Sequence, residues 1–232
     1  MLSTYSGDKI LNLFSLYAKN RNNQIFKLID KSLRNYPDVK SILEFGAGKG
    51  EFINRFKTRK GIETFAVESD ASYRKQLSEN HVTLEKLEDF TFNIDFVFMV
   101  DLLEHIDDDE KLLLALYDKI KVGGGLFIYV PARMELYSAF DKSIGHYRRY
   151  SKHELIAKVK RAGFKIENFR YHELLGYVAS AIHNKFFGIK EPGKFSLLLY
   201  DYCIVPLTTL IEKLVNPPIG KSLYLLATVE KK

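Results

Sequence analysis

Residues Ser41 to Gly50 read SILEFGAGKG, a short apolar run stopped by three glycines. SILEF has the length and character of a buried strand, and Gly46, Gly48 and Gly50 let the backbone turn sharply and approach a ligand. Helical character resumes over Glu51 to Arg59. A strand, a glycine loop and a helix start together offer free N–H groups and a partial positive charge, which suits a nucleotide. The spacing is G-x-G-x-G, however, and not the G-x-G-x-x-G of dinucleotide binders. Glu44, just ahead of the loop, would repel a pyrophosphate and suits a cationic ligand group.

Beyond this stretch the chain alternates. Thr64 to Val67 reads as the next strand, Ala71 to Asn80 as a polar helix, and His81 to Leu84 as a weak strand. Ile94 to Val100 (IDFVFMV) has the continuous apolar look of a sheet centre. Lys111 to Ile120 is a helix that Gly123 to Gly125 end, and Leu126 to Val130 is another buried strand. Such alternation over about 90 residues implies right-handed βαβ units and a doubly wound, mostly parallel α/β sheet. Ser151 to Ala162 is a further helix, with Ser151 as N-cap, Glu154 completing a capping box and Gly163 as the stop. Phe164 to Tyr171 and Ser222 to Val229 read as strands. Between them Gly176 to Gly220 reads as a helical insertion, and upstream Ile25, Leu28, Ile29 and Leu33 share one helical face.

Composition narrows the class. The 232 residues are 46% hydrophobic and 28% charged, which excludes disordered, collagenous and coiled-coil chains. The single cysteine, Cys203, excludes an internal disulfide and a cysteine-based metal cluster. The longest apolar stretch, Ser196 to Ile211, carries Asp201 and Pro206 and falls short of a bilayer span, so no transmembrane helix is predicted. No secretory signal is read near Ile10 to Ala18, and the expected compartment is the cytoplasm. Charge is uneven: residues 1–40 carry 7 Lys+Arg against 3 Asp+Glu, residues 41–140 carry 12 against 18, and residues 141–232 carry 16 against 8. Basic flanks around an acidic centre imply either an anionic contact or ordinary solvated lysines.

Two further acidic signals stand at strand ends. Glu68 ends the second strand, 18 residues after Gly50, where a carboxylate can accept both hydroxyls of a ribose. Asp101, Glu104 and His105 follow the strand Ile94 to Val100, on the sheet edge where open α/β sheets bind ligands. Taken in order, ILEFGAGKGEF (Ile42 to Phe52), VESD (Val67 to Asp70), VDLLEHI (Val100 to Ile106) and GGGLFIYVPA (Gly123 to Ala132) resemble the class I S-adenosylmethionine-dependent methyltransferases.

The resemblance implies a Rossmann-like seven-stranded sheet with an antiparallel last strand and S-adenosylmethionine as cofactor. It assigns Glu44 to the methionine amino group, Gly46, Gly48 and Gly50 to the methionine and ribose, and Glu68 to the ribose. Val100 and Asp101 border the cofactor. At the adenine, where the family usually has an Asp, Lys86 stands instead, and Leu87 backbone or Glu88 takes its place. The implied organisation is an N-terminal helical lid over 1–36, a cofactor-binding core over 37–175 and 220–232, and an insertion over 176–219 that covers the acceptor site.

The stretch Gly145 to Ser151 (GHYRRYS) resembles bacterial methyltransferases of cell-surface glycan and quinone pathways. There Tyr147, Arg148 and Arg149 are substrate candidates, since forked guanidinium donors suit phosphate or carboxylate; the alternative is a structural arginine pair. A hydroxyl acceptor needs a base, and His105 and His146 are the catalytic candidates. Asp101, Glu104, His105 and His146 also resemble a divalent-metal site of ubiquinone-pathway and small-RNA 2′-O-methyltransferases, although D-x-x-E-H also occurs in metal-free members. The insertion aromatics Tyr177, Phe186, Phe187, Phe195, Tyr200 and Tyr202, beside Lys185, Lys190 and Lys194, either form a packing face, line an apolar pocket or touch lipid peripherally.

The expected activity is therefore methyl transfer to an oxygen of a small-molecule, sugar, quinone or lipid-linked acceptor. An RNA ribose methyltransferase, a nicotinamide-nucleotide oxidoreductase and a non-catalytic cofactor-binding module are the alternatives. The Asn/Asp-Pro-Pro-Tyr type of sequence is absent after the fourth strand, and no RNA-stacking motif is present, which disfavours a nucleic-acid acceptor.

Overall fold

The computed structural model describes the backbone at residues 8–187 and 193–232 and the side chains at 12–182 and 193–232. The side chains of Lys185, Phe186 and Phe187, and all of Lys190, lie outside the described residues. Seven strands form one sheet: β1 Ser41–Phe45, β2 Glu63–Val67, β3 Val82–Leu84, β4 Ile94–Val100, β5 Ile120–Pro131, β6 Lys165–His172 and β7 Ser222–Thr228. Their order is β3-β2-β1-β4-β5-β7-β6. β1 to β5 run parallel, and β7 lies antiparallel between β5 and β6. The expected α/β sheet with its reversed last strand is what the chain builds. Because the chain winds outward from β1 and then returns to β4, a crevice opens at the carboxyl ends of these two neighbours.

The helices are α1 Asp8–Tyr17, α2 Lys19–Leu33, α3 Ala71–Leu77, α4 Asp109–Lys119, α5 Ala139–Ser143, α6 Lys152–Arg161, α7 Leu174–Phe187, α8 Lys194–Leu199 and α9 Val205–Leu214. One apolar layer, with Leu113, Leu116, Leu155 and Val159, packs α4 and α6 on one sheet face. The other face is covered by Ile25, Ile29 and Leu33 of α2 with Ile53 and Phe56. The helical stripe read in the sequence thus faces the core. Ser151 caps α6 by accepting the Glu154 N–H at 3.2 Å. Asp70 caps α3 by accepting from Ser72 and Tyr73.

Beyond shifts of one to three residues at element ends, three features differ from the sequence reading. After the glycine loop only a 3₁₀ turn forms, Ile53–Arg55, among other turns. Gly123 to Gly125 do not terminate α4 but lie inside β5, which begins at Ile120 paired with Ile94. Glycines are needed there by close packing: a Cβ on Gly125 would stand 2.6 Å from the Tyr36 ring, and one on Gly124 would stand 2.7 Å from the Asp95 carbonyl. Finally, Lys194–Leu214 is one continuous 21-residue helical stretch, long and apolar enough by length and composition to cross a membrane. Asp201 and Pro206 do not break it, because a π-helical turn at Tyr200–Ile204 precedes Pro206, which sits in the first turn of α9.

Candidate active site

The glycine loop is fastened to the sheet before it meets any ligand. The Gly46 and Ala47 N–H groups donate to the Val67 carbonyl at 2.8 and 3.2 Å. Gly46 has φ +76°, and a Cβ on it would stand 2.5 Å from Leu102, so neither backbone nor space admits a side chain. Gly48, by contrast, has φ +51°, and a Cβ placed on it would meet nothing within 4 Å, so space is open on that side.

Glu44 is buried, and its Oε2 accepts the Ile53 N–H at 2.8 Å. Burial, with Glu51 and Glu68 nearby, pushes its pKa well above the ordinary carboxylate range. Such a group is relieved by a bound cation. Glu68, also buried, accepts the Gly48 N–H at 2.7 Å through Oε2 and the Asp70 N–H at 2.8 Å through Oε1. It links the end of β2 to the loop. Leu87 turns its side chain into the core, while Glu88 is exposed. Over the loop lies α1, with Asn12 bonded to the Lys49 ammonium and Ser15 to Glu51 at 3.5 Å.

Beyond β4 the chain turns at Asp101, whose φ of +48° is uncommon for a residue with a side chain. Its Oδ2 accepts from Arg21 Nη1 of α2 at 3.0 Å. The following turn, Leu103–His105, carries Glu104, which is fully buried with neither carboxylate oxygen hydrogen-bonded. Burial first, and then Asp101, push its pKa well above the usual range. Burial and the adjacent His146 push His105 down to about 4, against an opposing pull from Asp101, so it is neutral at pH 7.

GHYRRYS is the strap that holds this turn. Gly145 takes φ +86°, and the Tyr147 N–H donates to the Glu104 carbonyl at 2.8 Å. The Tyr150 hydroxyl bonds the Leu103 carbonyl and Asp109 at 3.1 and 2.7 Å. Arg148 pairs with Asp109 at 2.9 Å and donates to the Asp107 carbonyl; Arg149 pairs with Asp141 at 2.8 Å. Both guanidinium groups are thus engaged by the protein's own carboxylates, the structural alternative of the sequence reading, while Tyr147 is exposed. His146 Nδ1 meets Asp141 Oδ1 at 3.0 Å. Burial would raise Asp141, but His146, Arg149 and Ser138 together hold it at about 2, so it is an anion that fixes the imidazole. The other ring nitrogen, Nε2, faces Glu104 Oε1 at 3.7 Å.

Glu104, His105 and His146 therefore converge, with one potential ligand atom from each lying within 4.8 Å of the others, and the two imidazoles meet edge to face at 4.5 Å. Asp101, the fourth residue of the expected set, is turned to Arg21 instead. The donor set of one carboxylate and two imidazoles suits a borderline divalent cation, and a buried carboxylate without a hydrogen bond is the group such a cation would satisfy.

Sequence reading missed a second polar cluster beside the first. Glu173 follows β6 with φ +63° and accepts from Arg21 at 3.1 Å, Tyr200 at 3.0 Å, Ser222 at 2.6 Å and Tyr129 at 3.2 Å. Burial would raise its pKa, but Arg21, Lys221 and His172 hold it far below the usual range. Asp201, inside the π-helical turn, caps α2 by accepting the Asn20 and Arg21 N–H groups, both at 2.9 Å. The N-terminal helices and the insertion are thereby joined to each other and to Asp101. These partners are far apart in sequence and carry no local motif; only the isolated Glu173 between strand and helix was a signal.

Burial pushes both His105 and His172 down to about 4. Histidines depressed in the fold bind fewer protons than in the unfolded chain between about 4 and the ordinary histidine value of 6.5, so stability falls as pH drops through that window. Glu212, raised to about 7 by burial, opposes this, because its proton uptake favours the fold as pH falls from about 7 to 4.5. Glu44 and Glu104, which burial raises well above the ordinary carboxylate range, act in the same direction as Glu212. Glu212→Gln removes one of the opposing carboxylates, so it is expected to make the melting temperature fall more, or rise less, between pH 7 and pH 5 than in the parent; an unchanged pH dependence would contradict the assignment of Glu212.

The fold is thus a seven-stranded sheet with a glycine loop after β1, an acid closing β2 and a polar cluster after β4. The family model described as a methyltransferase domain matches residues 17–168, and the chain belongs to that family. No curated protein matches it. Among solved structures it is similar to an S-adenosylmethionine-dependent methyltransferase from Archaeoglobus fulgidus, with a TM-score of 0.60 and 18% identity over 93% of this chain and 98% of that one. A second, from Clostridium acetobutylicum, has a TM-score of 0.62 and 11% identity over 97% and 99%. A Thermotoga maritima protein described as a possible histamine N-methyltransferase has a TM-score of 0.56 and 19% identity over 95% and 99%. The chain is an S-adenosylmethionine-dependent methyltransferase.

Proposed function

We propose that the acceptor is an oxygen nucleophile of a small or lipid-linked molecule, and that Glu104, His105 and His146 hold a divalent cation beside it. The observation that carries this reading is Glu104, buried with neither carboxylate oxygen hydrogen-bonded and next to a neutral imidazole. Bound S-adenosylmethionine supplies an electrophilic methyl group for in-line displacement. Glu44 meets the ammonium of its methionine part, the glycine loop and Glu68 meet the ribose, and Leu87 backbone lies at the adenine. This fits the open side of Gly48 and the buried, cation-seeking Glu44. A cation on the three ligands would polarise the acceptor hydroxyl and lower its pKa. Arg21, Glu173 and Asp201 draw α2 and the insertion over this edge and exclude water.

The Asp141–His146 pair favours a second reading without metal, in which Asp141 holds Nδ1 and Nε2 takes the acceptor proton directly. A screen of hydroxyl acceptors, with release of the demethylated cofactor as readout, separates the two. Under the metal reading, a chelator abolishes turnover, Mg²⁺ or Mn²⁺ restores it, and Glu104→Gln loses the response to metal. Full turnover after chelation moves the chemistry to His146 alone. Methylation confined to amines would overturn the oxygen assignment.

A further inference from the structure

The helical stretch Lys194–Leu214 is amphipathic in the wrong sense for a helix on a soluble protein. Its inward face carries Asp201, Thr208 and Glu212 with Leu197 and Val205, all buried. Its outward face carries Phe195 (79% exposed), Leu199, Tyr202, Leu207, Leu210 (59%) and Leu214 (81%). These recur at helical spacing and so form one continuous apolar stripe. The inward polar groups are committed: Asp201 caps α2, and Glu212 accepts the Leu174 N–H at 2.8 Å and faces His172 at 3.3 Å. Exposed charge on this stretch is basic, Lys194 and Lys213, and among its described residues both carboxylates point inward.

We infer that the outer face of Lys194–Leu214 docks in the plane of an anionic phospholipid bilayer, with its leucines and Phe195 in the acyl boundary and Lys194 and Lys213 at the headgroups. Apolar side chains recover hydrophobic free energy by leaving water, and lysines at the rim add attraction to anionic lipid. Length and composition alone would also allow a span. Spanning would drag Asp201 and Glu212 into hydrocarbon and strip the cap from α2, whereas lying in the interface leaves every inward bond intact. A second copy of the chain is the poorer occupant, since antiparallel pairing about a two-fold would set Lys194 of one copy toward Lys213 of the other. Docking of this surface is independent of the acceptor's identity.

The chain's single cysteine, Cys203, is exposed on this stretch and takes an environment-sensitive fluorophore. With the full-length protein and vesicles of phosphatidylcholine with or without phosphatidylglycerol, co-flotation and a blue shift on the anionic vesicles are the expected results. Quenchers near the headgroups must act more strongly than quenchers at the acyl ends. Phe195→Ser with Leu210→Ser and Leu214→Ser, all exposed positions, should leave the melting temperature unchanged and weaken vesicle binding at least tenfold; Lys194→Gln with Lys213→Gln should remove the preference for anionic lipid. Failure to float overturns the inference, and so does a concentration-dependent dimer that the serine variant returns to monomer.

Discussion

Arg21→Met is expected to destabilise the protein by about 3–5 kcal/mol, the usual effect of removing one member of a buried ion network and leaving its partners charged. Arg21 sits between Glu173 and Asp101 at 3.1 and 3.0 Å and lies 5.4 Å from the centroid of the Tyr129 ring. Lys221 and His172 also favour the Glu173 charge, but neither side chain hydrogen-bonds its carboxylate among the described residues, so losing Arg21 leaves a buried anion under-compensated. At a few degrees per kcal/mol for a chain of this size, the melting temperature should fall on the order of 10 °C. Adding Glu173→Gln should recover part of the loss, because the second change removes the under-compensated charge. A shift of the single variant below about 1 kcal/mol would contradict a buried network and return the pair to surface status.

His146→Ala is expected to lower turnover by roughly 10²–10⁴-fold while leaving affinity for S-adenosylmethionine within a few-fold of the parent. Both readings of the acceptor site need this imidazole, as ligand or as base, and none of its described bonds reaches the glycine loop. Asp141→Asn acts through His146 and should produce a smaller fall with a displaced pH profile, since the anion that fixes the imidazole is gone. Its melting temperature must be followed in parallel, because Asp141 also pairs with Arg149 and bonds Ser138. Equal loss of cofactor binding and turnover in His146→Ala would make the residue structural and sink its catalytic assignment.

The elements of the proposed cofactor half, the loop after β1 and the end of β2, were legible because they are written in contiguous strings. Each of SILEFGAGKG and VESD is a strand and the loop that leaves it, so local pattern and tertiary position coincide. The turn VDLLEHI was legible for the same reason, and GHYRRYS marked the strap that reaches it. What each arginine of that strap does was not legible, because Asp109 and Asp141 reach them only in the folded chain. Arg21 and Glu173 lie 152 positions apart, and nothing near either names the other. The helix boundary at Ile120 misled for a different reason: glycines punctuate most sequences, but here Gly124 and Gly125 serve close packing inside a strand. Counting apolar residues likewise undervalued Lys194–Leu214, because Asp201 and Glu212 face inward to bonds that linear reading cannot see.

The proposed binding of S-adenosylmethionine by Glu44, the glycine loop and Glu68 is the step on which every other assignment depends. Calorimetric titration of the purified protein with S-adenosylmethionine and its demethylated product, with NAD as the competing ligand and Glu68→Ala as the control, examines it without an acceptor. Micromolar binding of both methyl-cycle ligands, lost in Glu68→Ala, with no heat from NAD, is the expected result. Binding of NAD with no response to S-adenosylmethionine or its product would refute the assignment and turn the site toward hydride chemistry.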